Sequence, residues 1–179
     1  LLGRSLFSTI YNAMQKIAAI SAGDAQRILE SYPKSIIKVV GDTRVDSVLS
    51  RRDGVTAPDF PKTWNKANVL IGGSIWPADI TCLRSVLLEA LEELPQLRLI
   101  LVPHEPTEEH VSEIQEIFSR YPIHLWSQGQ KEEFAKARVL IVDAIGVLSS
   151  LYAKANLAFV GGAFTTGVHN IMEPAAFGL

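Results

Sequence analysis

The chain has 179 residues, of which 47% are hydrophobic and 20% charged, enough for one ordinary domain with a buried core. Its formal net charge of -2 gives no electrostatic reason to expect nucleic-acid binding, and its single cysteine, Cys82, excludes an intrachain disulfide. No apolar run approaches the ~20 residues that a helix needs to cross a bilayer.

The first fifty residues contain the patterns of two helices and a strand. Apolar residues recur at helical spacing over residues 4–19, which predicts a first helix. Ser21 is the predicted N-cap of a second helix, with Asp24 at the capping-box position, and Pro33 ends that helix. Residues 36–40 are predicted to form a short strand.

From residue 67 onwards, short apolar runs alternate with helical segments. The predicted strands span residues 68–73, 97–102, 123–126, 139–142 and 157–160, and the predicted helices span residues 77–93, 107–120, 146–154 and 170–177. Strands that are apolar on both faces and alternate with helices indicate a parallel sheet covered on both sides. The predicted fold is therefore α/β, with a doubly wound, Rossmann-like parallel sheet.

These patterns divide the chain into three predicted segments. Residues 1–50 are assigned to an interdomain region and the start of a C-terminal domain. Residues 51–66 contain two prolines, a glycine and many polar side chains, and are predicted to form a linker or loop. Residues 67–179 are predicted to form the Rossmann-like domain, truncated at its C-terminus.

Four polar or glycine-rich motifs follow the predicted strands. They are GGSIWPAD from Gly72, PHEP from Pro103, DAIGVL from Asp143 and GGAFTTGVHNIME from Gly161. Open parallel sheets bind ligands beyond the carboxyl ends of their strands, so these motifs predict one shared crevice. Gly146 opens a predicted helix, whose free amides and dipole would favour a phosphate.

Each motif also has a structural interpretation, which the residues alone leave open. GGS is typical of a tight turn between strand and helix, with Ser74 as a possible cap. Asp143 is equally explained as an acceptor of backbone hydrogen bonds, and His104 and Glu105 as surface residues. The tryptophans are interpreted as packing groups, although Trp76 lies within the first motif.

The group His169-Asn170-x-x-Glu173 lies beside the last glycine pair. Asn170 and Glu173 would share one face of a helix at its first turn, where the dipole favours a carboxylate. That carboxylate could accept both hydroxyls of a ribose diol. The alternative is a capping network in which Asn170 is the N-cap and Glu173 its capping-box partner.

Motifs of several common enzyme classes are absent. The sequence contains no Walker A, GxGxxG, HExxH or GxSxG motif. Its four histidines, Cys82 and the carboxylates have no metal-ligand spacing. His110 and His124 are interpreted as surface or structural residues.

Five motifs, in this order and spacing, resemble the 3-deoxy-D-manno-octulosonic acid (Kdo) transferases of lipopolysaccharide synthesis. They are VVGDTRVDSV, GGSIWPAD, LILVPHEP, VLIVDAIGVLSSLYAKANLAFVGGAF and GVHNIMEPAAFG. The resemblance covers residues 17–179. It implies a GT-B glycosyltransferase, built from two Rossmann-like domains, that transfers Kdo from CMP-Kdo to a lipid A precursor with inversion and without an essential metal.

The resemblance also implies roles for individual residues. The donor-binding residues carried over are Gly73, Ser74, Pro103, His104, Ile145, Gly146, His169, Asn170 and Glu173. Ile145 and Gly146 match the turn that presents amides to the donor phosphate. Asn170 and Glu173 match the pair that clamps ribose and donor. Many members have arginine and histidine where this chain has His104 and Glu105, so either His104 replaces the arginine or the positive charge comes from elsewhere.

The same resemblance places several functions outside this chain. The general base, a glutamate, is expected in an N-terminal acceptor domain, so no catalytic residue is assigned here and the chain alone is expected to be inactive. Membrane association is expected through that N-terminal part, at the cytoplasmic face of the bacterial inner membrane. A UDP-sugar transferase or 2-epimerase of the same fold, and a non-catalytic binding module, remain alternative functions.

Overall fold

The computed structural model describes residues 2–130, 132–165 and 167–179. It divides into two compact units, Leu1–Ser50 and Arg51–Leu179. The helices are α1 (Leu2–Ala13), α2 (Ala22–Ser31), α3 (Thr43–Gly54), α4 (Pro77–Glu93), α5 (Glu108–Ile117), α6 (Glu132–Lys136), α7 (Leu148–Leu151) and α8 (Met172–Ala176). The strands are β1 (Ile17–Ala19), β2 (Ile37–Val39), β3 (Asn68–Ile75), β4 (Leu97–Pro103), β5 (Ile123–Leu125), β6 (Val139–Ile141) and β7 (Leu157–Val160).

The first unit contains a two-stranded parallel sheet of β1 and β2. The predicted helix over residues 4–19 is wrong at its C-terminal end, because α1 ends at Ala13 and Ile17–Ala19 form β1. Pairing with β2 satisfies the backbone there, and this tertiary contact overrides the helical spacing. The predicted N-cap is confirmed: the Ser21 hydroxyl accepts from the amide of Asp24 at 3.1 Å.

The second unit is built on a five-stranded sheet in the order β5-β6-β4-β3-β7, with every neighbouring pair parallel. One apolar cluster packs α4 and α5 against one face, and another packs α6, α7 and Trp64 against the other. Ile71, Leu99 and Leu140 in the central strands are completely buried. Burial of one such side chain contributes about 1.5–3 kcal/mol. The predicted doubly wound parallel sheet is confirmed.

Several predicted boundaries shift. The segment assigned to a linker begins with the last turn of α3 and contains a 3₁₀ turn, Lys62–Trp64, whose buried indole donates to the Phe134 carbonyl at 3.1 Å. The helix predicted from residue 146 starts at Leu148, because Gly146 has a φ of 87°, which no α-helix contains. The last helix is five residues long rather than spanning residues 170–177.

Candidate functional site

A cleft lies at the carboxyl ends of β3, β4 and β6. Its volume is about 150 Å³, and it brings together five of the nine predicted site residues. These are Ser74, Pro103, His104, Ile145 and Gly146. The prediction that the motifs after these three strands meet in one place is therefore confirmed for these residues.

The end of β3 is shaped by a bulge at Ser74. Ser74 has a φ of 53°, in the left-handed region, and the pairing of β3 with β4 shifts register between Gly73 and Ile75. The carbonyl of Ile75 then accepts from the amide of His104 at 2.9 Å, which fixes the start of the next loop. A bulge of this kind re-aims one side chain, and here it places Ser74 in the cleft.

Gly73 does not line the cleft, and its role is in packing. A Cβ at this position would lie 2.5 Å from the hydroxyl oxygen of Tyr152, whose ring is 2% exposed. Burial, and to a smaller extent the negative charge of Glu173, raises the pKa of the Tyr152 phenol. Tyr152 is therefore a neutral packing group beneath the end of β3.

The loop after β6 offers backbone donors to the cleft. Ile145 has 85% of its surface exposed, and Gly146 is exposed beside it. Their two amides have no hydrogen-bond partner among the residues that the structure describes. Asp143 has the structural role left open above, because its carboxylate accepts from the amide and the hydroxyl of Ser127 at 2.8 Å and 2.5 Å.

The glycine pair after β7 allows a close approach of two neighbouring strand ends. A Cβ on Gly161 would collide with the carbonyl oxygen of Ser74. Gly162 has a φ of 96°, and a Cβ there would collide with the carbonyl oxygen of Gly167 and lie 2.9 Å from Cδ2 of His169. Both positions therefore require glycine for steric and conformational reasons.

Three aromatic rings from three different strand ends stack beside this pair. The ring of His104 lies 4.4 Å from that of Trp76 and 4.5 Å from that of His169, measured between centroids. Trp76 and His169 are inclined by only 18° to each other, and Nε1 of Trp76 donates to Nε2 of His169 at 2.9 Å. The prediction that Trp76 is a packing group misses this hydrogen bond.

Asp79 is a buried carboxylate that the sequence analysis did not single out. Its side chain is fully buried, and its Oδ2 accepts from the amides of Trp76 at 2.8 Å and Gly162 at 2.9 Å. Asp79 thus ties the turn after β3 to the loop after β7. A signal was present in the sequence: Asp79 is the third residue of a helix that begins with Pro77, where a carboxylate reaches back to the N-cap amide.

Asn170 and Glu173 lie in the last loop and α8, and neither lines the cleft. The Asn170 side chain accepts from the amide of Met172 at 3.0 Å, but Ile171 is the N-cap residue. Glu173 pairs with Arg51 in the last turn of α3, with 2.5 Å between Oε1 and Nη1. The proposed capping box between Asn170 and Glu173 is therefore wrong, because the carboxylate is bound to a guanidinium instead.

The remaining histidines have structural contacts, as predicted. Nδ1 of His110 lies 2.8 Å from the Glu105 carbonyl, and Nε2 of the buried His124 lies 2.8 Å from the Gly129 carbonyl. Within the described part of the chain, no three His, Cys, Asp or Glu side chains are grouped as metal ligands. None of the described helices combines the length and apolar character needed to cross a bilayer.

Comparison with known proteins identifies relatives that share one name. The chain is 38% identical over 116 residues to a 3-deoxy-D-manno-octulosonic acid transferase of Chlamydophila psittaci, and 35% identical over 92 residues to a probable mitochondrial one of Arabidopsis thaliana. The first alignment covers 62% of this chain, and the second 49%. Both relatives are named 3-deoxy-D-manno-octulosonic acid transferase, and they support the Kdo transferase resemblance drawn from the five motifs.

The relatives of this family are much longer than the chain. It spans 25% of the Chlamydophila psittaci protein and 20% of the Arabidopsis one. A Rickettsia felis transferase of the family aligns with 97% of the chain at 26% identity, and the alignment covers 37% of that protein. No family model matches the chain.

A solved structure supports the fold. The crystal structure of the C-terminal CMP-Kdo binding domain of WaaA from Acinetobacter baumannii matches with a TM-score of 0.56 and 24% identity. The match covers 74% of this chain and 67% of that domain. It confirms the predicted GT-B, Rossmann-like fold. The roles of individual site residues stay predictions.

Proposed function

We propose that this chain is the donor-binding part of an inverting glycosyltransferase that transfers Kdo from CMP-Kdo to a lipid A precursor. The names of its relatives and the CMP-Kdo binding reported for the structural neighbour support this assignment. The observation that carries it is the cleft, where Ile145 and Gly146 present amides that lack a hydrogen-bond partner among the described residues, beside Ser74 and His104.

The cleft suits the leaving group of such a transfer. As a lipid A hydroxyl attacks the anomeric carbon of Kdo, negative charge develops on the phosphate of the departing CMP. Two loop amides and the Ser74 hydroxyl would donate hydrogen bonds to its oxygens, and His104 supplies a further donor. Because α7 has only four residues, these individual amides rather than a helix dipole would stabilise the charge.

Glu173 would take the ribose of the donor. The ion pair with Arg51 uses Oε1, and Oε2 has no partner among the described residues, so Oε2 is the oxygen assigned to a ribose hydroxyl. In this assignment Arg51 orients the carboxylate. His169, Asn170, Gly73 and Pro103 then support the loops around the donor.

In this proposal, the general base and the membrane association belong to another part of the whole protein. The general base would come from an N-terminal acceptor domain. That part would also associate with the cytoplasmic face of the bacterial inner membrane, where a lipid A precursor is held. The transfer would proceed without an essential metal, because loop amides and His104 would bind the leaving phosphate.

Isothermal titration of the chain with CMP and with UMP tests the donor site. We expect CMP to bind and UMP to bind more weakly. Gly146→Ala should weaken CMP binding, because the added methyl strains a φ of 87° by about 1–2 kcal/mol and moves the amides. Gly41→Ala is the matched control: its φ is 84°, a Cβ there also meets open space, and it lies outside the cleft. Equal losses in both variants would contradict the assignment.

A further inference from the structure

The hydrogen bond between Trp76 and His169 determines where the imidazole carries its proton. An indole N–H can only donate, so Nε2 of His169, 2.9 Å away, accepts with its lone pair. A neutral imidazole has one proton, which must then reside on Nδ1. We propose that Trp76 is a positioning residue that holds His169 as the neutral Nδ1–H tautomer. Free histidine favours the opposite tautomer, so Trp76 would reverse the intrinsic preference.

The ring stack keeps the donor and the acceptor in one plane. His104 lies over both rings, at centroid distances of 4.4 Å and 4.5 Å, while Trp76 and His169 deviate by 18° from parallel. Trp76 and His169 are half-buried, and His104 is exposed on the outside. Rotation of the His169 ring would break the indole hydrogen bond and the stacking contact together.

The backbone on both sides of this hydrogen bond is held by one carboxylate. Asp79 accepts from the amide of Trp76 and from the amide of Gly162 through the same oxygen. The amide of His169 in turn donates to the carbonyl of Gly161 at 3.1 Å. Because Gly162 has no side chain, the Nε2 edge of His169 lies against it, where a Cβ would be 3.1 Å from Nε2. The surrounding backbone therefore fixes the positions of both Trp76 and His169.

The tautomer limits what His169 can do in the proposed transfer, and this step rests on the proposed function. Nε2 is occupied by the indole, and Nδ1 already carries a proton. His169 can therefore donate a hydrogen bond from Nδ1 to an anionic oxygen of the donor, a phosphate or a carboxylate, and it has no free lone pair to act as a general base. The base of the reaction must be another residue.

Nitrogen NMR on the ¹⁵N-labelled chain without ligand tests the tautomer. We expect long-range proton–nitrogen correlations that place the proton of His169 on Nδ1, and a ¹⁵N–¹⁵N coupling across the hydrogen bond from Trp76 Nε1 to His169 Nε2. Loss of the signals in His169→Gln assigns them. A proton on Nε2, or averaged shifts without a coupling, would overturn the proposal.

Trp76→Phe tests the cause, since it keeps an aromatic ring and removes the N–H donor. We expect the Nδ1–H signature of His169 to be lost in this variant and kept in the control Trp126→Phe, a tryptophan outside the stack. An unchanged His169 spectrum in Trp76→Phe would refute the role of Trp76. If that variant does not fold, the coupling in the unmodified chain decides the question.

Adding CMP-Kdo or CMP then tests whether His169 donates a hydrogen bond to the ligand, separately from the test of its tautomer. A shift of the Nδ1–H proton on binding supports a donor role for His169. Binding without that shift refutes the donor role and leaves the tautomer standing. Absence of binding counts against the proposed function, while the ligand-free spectrum still decides the tautomer.

Discussion

Replacing Gly73 by alanine tests the packing beneath the end of β3. The new Cβ would lie 2.5 Å from the hydroxyl oxygen of Tyr152, and the next nearest atoms are Cδ1 of Leu148 at 3.2 Å and Cζ of Tyr152 at 3.3 Å. Tyr152 is buried, so its ring has little room to withdraw. Overpacking of this kind costs about 1–3 kcal/mol, and we expect a loss of stability near the upper end.

The hydroxyl oxygen is the atom that makes this contact unfavourable. Tyr152→Phe removes it, after which the closest atom to the alanine Cβ is Cδ1 of Leu148 at 3.2 Å, a tight contact that a small shift of the leucine side chain can relieve. In the Tyr152→Phe background, Gly73→Ala should therefore cost only about 1 kcal/mol. The expected coupling energy between the two substitutions is about 1–2 kcal/mol.

Urea unfolding followed by tryptophan fluorescence measures these energies in the relevant part of the molecule. All three tryptophans belong to the unit Arg51–Leu179, so the signal reports its unfolding and not that of the first unit. The four proteins of the cycle are compared at constant m-value. Additive losses, within about 0.5 kcal/mol, would refute the steric account of Gly73.

Three further predictions concern the contacts of Asp79, Gly161 and Arg51. Asp79→Ala leaves the partly buried amide of Trp76 and the buried amide of Gly162 without an acceptor and should lower the unfolding free energy by about 2–4 kcal/mol, whereas Asp79→Asn, which keeps one acceptor oxygen, should cost less. Gly161→Ala should destabilise by more than 2 kcal/mol because of its backbone collision, while Gly54→Ala, with open space around it, should change urea stability by less than about 1 kcal/mol. Arg51→Ala should lower stability by at most about 1 kcal/mol, because the Arg51 side chain is half exposed, yet it should weaken CMP binding in titration. Unchanged binding would contradict an orienting role for this arginine.

The fold was largely predictable because its main signals are local. Apolar strands alternate with helices along residues 67–179, and Pro77 and Thr107 mark helix starts that the structure contains. The errors occur where a local pattern competes with a tertiary contact or a special backbone angle. Ile17 fits a helical spacing but pairs with Ile37 in a strand, and Gly146 looked like a helix start but has a positive φ.

The site was predictable only in part, because spacing does not reveal partners. The cleft residues could be predicted, since parallel strands bring their carboxyl ends to one edge of the sheet. The partner of Glu173 could not, because Arg51 lies 122 positions earlier in the sequence. The ring stack was missed for the same reason: Trp76 and His169 are 93 positions apart, and nothing local links them.

The glycine pairs near the carboxyl ends of β3 and β7 have one explanation in common, because the two strands pair with each other. The strands are neighbours, Gly73 pairs with Val160, and the amide of Gly161 donates to the carbonyl of Gly73 at 2.9 Å. The sheet order reverses between these strands, which is where open α/β sheets form their ligand crevices. Here, however, the space left by the missing side chains is taken by protein. Tyr152 occupies the space at Gly73, the backbone of Ser74 approaches Gly161, and His169 lies against the following glycine. Glycine at this switch point therefore serves packing, and the ligand-facing groups come from the side chains and amides of the loops that this packing holds in place.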